Sequence, residues 1–111
     1  FVAAVPAANK DAYIEHAREA GALFKEWGAT RVVETWGDDV PAGKQTDFMR
    51  AVQAKPDEII VFSWVEYPDK ATRDAVGQKM MTDPRMQAMK MPFDGARMIY
   101  GGFANIVELN K

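Results

Sequence analysis

The stretch Ile59-Ile-Val-Phe-Ser-Trp-Val-Glu-Tyr67 is β-branched and aromatic almost throughout and is bounded by Pro56-Asp57 and Pro68-Asp69. It predicts a strand, the clearest in the chain. Alternate residues of a strand point to opposite sides. One face therefore carries Ile59, Val61, Ser63, Val65 and Tyr67, and the other Ile60, Phe62, Trp64 and Glu66. A sheet with helices on one side alternates apolar and polar residues along its strands. Here both faces need cover, so the face bearing Phe62 and Trp64 is expected to be an interaction surface.

On the N-terminal side of this stretch, Phe1-Val-Ala-Ala-Val-Pro6 predicts a first strand. Phe1 to Ala8 are apolar or Pro, yet no basic segment accompanies them, which favours a strand over the remnant of a targeting peptide. Asn9 is a candidate N-cap for a helix running to about Trp27, with Gly28 placed to end it. Tyr13, Ala17, Ala20, Phe24 and Trp27 form its apolar stripe, and Glu15 is spaced to pair with Arg18. Thr30 to Trp36 predicts a second strand, Asp38 to Thr46 a loop, and Asp47 to Gln53 one or two helical turns. On the C-terminal side, Asp69 caps a second long helix with Ala71, Ala75, Val76 and Met80 at helical spacing, and Asp83-Pro84 restarts a short one. Arg97 to Leu109 predicts a last strand, bent at Gly101-Gly102.

The order is βαβ followed by βαβ, and the halves echo each other: Val5-Pro6 then Asn9-Lys10, and Tyr67-Pro68 then Asp69-Lys70. The expectation is one α+β domain over 1–111 with the ferredoxin-like βαββαβ arrangement, a four-stranded antiparallel sheet with two helices on one face.

Composition narrows the function. The 111 residues are 48% hydrophobic and 27% charged, values that place the chain among globular domains. There is no Cys, which removes thiolate nucleophiles and Cys-based metal sites, and a single His, His16, which removes His-rich metal cages. The lack of disulfides points to a cytoplasmic address. No segment is long and apolar enough to span a bilayer. A net charge of −2 gives no electrostatic pull toward phosphate backbones or anionic membranes. Nucleic acid is disfavoured for a second reason. Ile60 to Tyr67 keeps the aromatic positions of an RNA-recognition motif at Phe62, Trp64 and Tyr67, but Ile60 and Val61 replace its basic residue and Gly.

Several residues carry candidate chemistry. His16 lies at the edge of the apolar stripe, predicted near Leu23 and Trp27, where it is either a base or a boundary filler. Glu34 and Trp36 share one strand face, so Glu34 is either an acid–base group in apolar surroundings, among Val32, Trp36 and Trp64, or an ion-pair partner. Arg31 and Arg97 open their strands as anion clamps or as surface charges. Asp38, Asp39 and Asp47 carry only a weak hard-metal signal, since adjacent carboxylates diverge and are common in turns. Met80, Met86 and Met89 fit adaptable packing under the second long helix better than a metal or ligand site.

Five segments in order, Arg31-Val-Val-Glu-Thr-Trp-Gly-Asp-Asp-Val-Pro41, Val61-Phe-Ser-Trp64, Pro68-Asp-Lys-Ala-Thr-Arg-Asp74, Asp83-Pro-Arg-Met86 and Met91-Pro-Phe-Asp-Gly95 through Gly102, resemble the YbaA-like proteins. These are small bacterial proteins of unknown function in the dimeric α+β barrel superfamily. The resemblance spans essentially the whole chain and implies a ferredoxin-like protomer and a homodimer joined through its sheets, at Phe62 and Trp64. It also implies residues ahead of Phe1, and it supplies no reaction and no cofactor. The functional expectation is a small apolar or aromatic ligand held near Trp36, Trp64 and Tyr100, with Arg31 and Arg97 as ligand contacts. Cofactor-independent monooxygenase-like chemistry would then use His16 or Glu34 as the proton-moving group. The alternatives are a non-enzymatic dimeric binding or structural protein and, third, RNA binding through the sheet face.

Overall fold

A computed structural model describes residues 1–111, with strands β1 (Val2–Pro6), β2 (Arg31–Trp36) and β3 (Glu58–Glu66). The helices are α1 (Lys10–Glu26), α2 (Phe48–Ala51), α3 (Lys70–Thr82) and α4 (Pro84–Gln87). The strand order is β1-β3-β2, antiparallel throughout, so the aromatic-rich β3 is central and β2 is an edge. Directly opposite residues share a face. Ala3 and Trp36 both oppose Val61, Glu34 opposes Ser63, and Val32 opposes Val65, which together form one face. Val2 and Thr35 oppose Phe62 and Val33 opposes Trp64, forming the other.

Helices α1 and α3 lie on the first face. Tyr13 packs with Ala3, Val5 and Val61, and further along α1, Ala20 and Phe24 pack with Ala29 and Val76 against Val32 and Val65. The helix ends where Gly28 adopts φ 121°, a left-handed conformation that a Cβ disfavours. On the opposite face, Val52 closes α2 over Val2, Ala4 and Ile60, and apart from the edge of Phe48 against Phe62 nothing lies over Phe62 and Trp64, which are 46% and 38% exposed.

The caps at Asp69 and Asp83 form as their spacing predicts, accepting from Thr72 N at 2.7 Å and Arg85 N at 2.8 Å. Asn9 stands at the N-cap position of α1, but its amide reaches away and donates to the Pro92 carbonyl at 2.9 Å. Glu15 and Arg18 make no ion pair, and Met86 and Met89 pack on the Ala20–Phe24 cluster while Met80 is 40% exposed.

The expected fourth strand is not formed. Ile99 bridges Val2 in both directions, at 2.9 and 3.0 Å, and the pairing ends there. Ile99 meets Val2, the first residue of β1, so in antiparallel register the residues after Ile99 fall beyond the start of the strand and the pairing runs off after one bridge. The following Gly101-Gly102 brings no side chain to hold an extended segment. The sheet is three-stranded.

Candidate functional site

Between α1 and the outer edge of β2 runs a groove of about 770 Å³. Antiparallel packing of helix against strand sets its two ends. Lys10 and Tyr13 at the start of α1 lie by Glu34 and Trp36, and Lys25 at its close lies by Thr30 and Arg31. In between, Gly21 faces Val32, and a Cβ there would stand in ordinary contact with Val32 Cγ1 at 3.5 Å.

Glu34 is the chemical centre of this groove. Its Oε1 accepts from the Tyr13 hydroxyl at 2.6 Å and from the Ser63 hydroxyl. Both donors are buried, Tyr13 at 3% exposure and Ser63 at 1%. Ser63 reaches it because register sets the two residues directly opposite, and Tyr13 because α1 crosses over that pair. Oε2 accepts no hydrogen bond and is not sealed from solvent, so it is the oxygen that an incoming group meets. Burial pushes the Tyr13 phenol far above its ordinary pKa, and its hydrogen bond to Glu34 and that carboxylate's charge push the same way. Tyr13 therefore stays a donor at every physiological pH and orients the carboxylate without competing for its proton. Trp36 forms a wall beside them, its ring 6.2 Å from that of Tyr13 and 5.5 Å from the Lys10 ammonium.

His16 stands behind this centre, outside the groove. Its ring lies 6.4 Å from Tyr13 and 6.1 Å from Phe93, so its neighbours are these and not Leu23 and Trp27. Burial lowers its pKa, partly opposed by the charges of Glu34 and Glu19.

The remaining sequence candidates disperse. Trp64 lies on the sheet face opposite Glu34 and Trp36, because odd and even positions of β3 diverge, and its indole donates to Glu66 Oε2 at 2.9 Å. Trp36, Trp64 and Tyr100 therefore do not line one pocket; Tyr100 is 81% exposed beyond the Ile99 bridge. Arg97 is a structural clamp, both terminal nitrogens on Glu58 at 2.7 Å with Nε on Asp94 at 2.9 Å. Arg31 makes an exposed pair with Glu66 at 3.3 Å and lines the far end of the groove. Asp47 caps α2 through Arg50 N at 2.7 Å. Phe62 and Trp64 continue into Phe48 as a ladder of edge-on rings 6.1 Å apart.

Sequence reasoning missed Tyr13 and Ser63. Each had a signal: a phenol within an apolar helical stripe needs a polar partner once buried, and a hydroxyl at the centre of an apolar strand face needs one too.

Comparison with known proteins agrees with the sequence resemblance. The chain is 61% identical over 110 residues to "Uncharacterized protein YbaA" of Escherichia coli, covering 97% of this chain and 94% of that protein. The protein of the same description from Shigella flexneri matches to the same extent. Residues 1–95 match the model of a family described as "Protein of unknown function (DUF1428)". The chain is a member of that family.

Proposed function

We propose that this protein binds a small apolar or aromatic ligand in the α1–β2 groove, over Trp36 and against Glu34. The observation that carries the reading is Glu34 itself. A half-buried carboxylate whose one oxygen is fixed by two buried donors, and whose other is free in a groove, is positioned for an incoming O–H or N–H. In its enzymatic form the reading extends to cofactor-independent monooxygenase-like chemistry: Glu34 takes the hydroxyl proton of a hydroxyarene, and dioxygen oxidises the electron-rich ring. The product gains one oxygen and loses two hydrogens, and the second oxygen leaves as water. His16 supports this site from behind Tyr13.

Titration calorimetry with 2-naphthol tests the binding. Trp36→Ala is expected to weaken it about tenfold, as for loss of one stacking wall, and Trp64→Ala to leave it unchanged; binding indifferent to Trp36 refutes the reading. Oxygen uptake that survives both Glu34→Gln and His16→Ala refutes the enzymatic form and leaves a binding protein.

The second reading concerns Phe48, Phe62 and Trp64. Three large rings together on an uncovered sheet face favour a second copy of this chain as the cover, giving a two-fold homodimer of ferredoxin-like protomers, each a single domain, in the cytoplasm. No helix is long and apolar enough to cross a membrane. RNA stacking on the same rings is the competing occupant, and it predicts binding that falls with salt.

A further inference from the structure

Helix α1 sorts its charges by sign. Lys10, Arg18 and Lys25 fall on the groove side, whereas Asp11, Glu15 and Glu19, each one residue past a groove position, turn away from it. Arg31 adds a cation from β2, so four cations and a single carboxylate, Glu34, line the groove of a chain whose net charge is −2. Arg18 and Lys25 form none of the molecule's ion pairs. Arg18 and Lys25 follow Tyr13 along α1 and so lie away from Trp36, whereas Arg31, on the other face of β2, is already paired with Glu66. A polar arrangement with a proton acceptor at one end and unpaired cations at the other fits a ligand of opposite polarity.

Resting on the ligand-binding reading above, we infer that the groove selects an amphiphilic anion, a flat apolar body with a hydroxyl at one end and a carboxylate or similar anion at the other. The hydroxyl meets Glu34 Oε2, the body lies over Val32 and Trp36, and the anion faces Arg18 and Lys25. The spacing agrees: Arg18 follows Tyr13, the donor to Glu34, by five residues of α1, about 8 Å at the rise of an α-helix, within the length of a two-ring aromatic hydroxy acid. A neutral ligand would leave the cations unused, and a dianion would place a charge beside Glu34, so one anionic group at one end is the composition the site matches.

Two probes separate this inference from the reading beneath it. 6-Hydroxy-2-naphthoate and 2-naphthol share the hydroxynaphthalene body and differ in the carboxylate. In calorimetry at low salt the carboxylate probe is expected to bind about tenfold tighter, the sum of two modest exposed charge contacts. That advantage should vanish in 0.5 M salt (about a 4 Å screening length) and in the Arg18→Gln/Lys25→Gln double variant, both exposed positions, while 2-naphthol binding stays the same. Equal affinity for the two probes, or an advantage that persists without the two cations, overturns the anion selectivity and leaves the groove reading intact. Failure of both probes to bind, or binding untouched by Trp36→Ala, overturns both.

Discussion

Neighbouring residues of β3 meet opposite environments. Ser63 is 1% exposed, while Phe62 and Trp64 on either side of it are 46% and 38% exposed. A hydroxyl is buried and two aromatic rings are left open, the reverse of what side-chain transfer free energies favour residue by residue. The inversion is explained by what each face is built to contact. On the helix side Ser63 has a carboxylate to satisfy, so its burial leaves no orphaned group. On the other side the cover is uneven. Glu58 and Ile60, at the start of β3, lie under Arg97 and Val52, and the cover stops before Phe62.

Breaking the covered end should have the largest effect. The side chains of Glu58 and Arg97 are only 4% and 14% exposed, against 40% and 63% for Glu66 and Arg31 at the open end of the same face. Glu58→Ala takes the carboxylate from a largely buried guanidinium, leaving it Asp94 and the Gln53 carbonyl, and should lower Tm by about 10 °C, whereas Arg31→Ala should shift it by less than about 3 °C. The acid response follows from the same pair. Hydrogen bonds from Arg97 hold Glu58 down at about 2, from an ordinary 4.5. A carboxylate with a depressed folded pKa stabilises fully above its unfolded value. That contribution is therefore lost as pH falls from about 4.5 to about 2, and urea titrations across that window should show a flatter profile in Glu58→Ala.

The next comparison is between adjacent residues. Val61, fully buried under Tyr13, should cost about 2 kcal/mol when cut to Ala, and the cost should be independent of protein concentration. Phe62→Glu should leave dilute protein folded and act only on association. By light scattering the parent chain is expected at twice 12.4 kDa and the variant at 12.4 kDa. A parent chain of 12.4 kDa at every concentration removes the second copy as the cover of this face.

A smaller effect belongs to the helix side. Ser63→Ala and Tyr13→Phe each remove one donor from Glu34, about 1.5 kcal/mol apiece for hydrogen bonds to a charged group. Because both act on Oε1, the double variant should cost measurably more than the sum, and strict additivity in denaturant titrations would show that the two donors are independent.

How far the sequence foretold this depends on whether the decisive contact is local. The two faces of β3, the caps at Asp69 and Asp83 and the end of α1 at Gly28 are set by neighbours within a few residues, and each was readable. That Glu34 shares a strand face with Trp36 was readable too. Its partners were not, because the register placing Ser63 opposite Glu34 spans a 21-residue connection between Trp36 and Glu58 that no turn type fixes. The same gap in long-range information misassigned Trp64 to the Glu34 side and Arg97 to a ligand. Strand 97–109 failed for a different reason: its residues have strand composition, but pairing needs an edge, and β1 offers one residue of it.

His16 gives the smallest and most specific test. It sits half-buried between Tyr13 and Phe93, and burial favours its neutral form, with Glu34 and Glu19 opposing less strongly. A folded pKa below the unfolded 6.5 means that the unfolded chain binds the extra proton first. The contribution of neutral His16 is thus complete above pH 6.5 and declines as pH falls below it toward the folded value. An imidazole NMR titration should give a midpoint below 6.5, and stability between pH 7 and 5.5 should decline less in His16→Gln than in the parent. A midpoint above 6.5 would mean that the Glu34 charge outweighs burial. The imidazolium would then be the resting form, and the support behind Tyr13 would be a cation instead of a neutral ring.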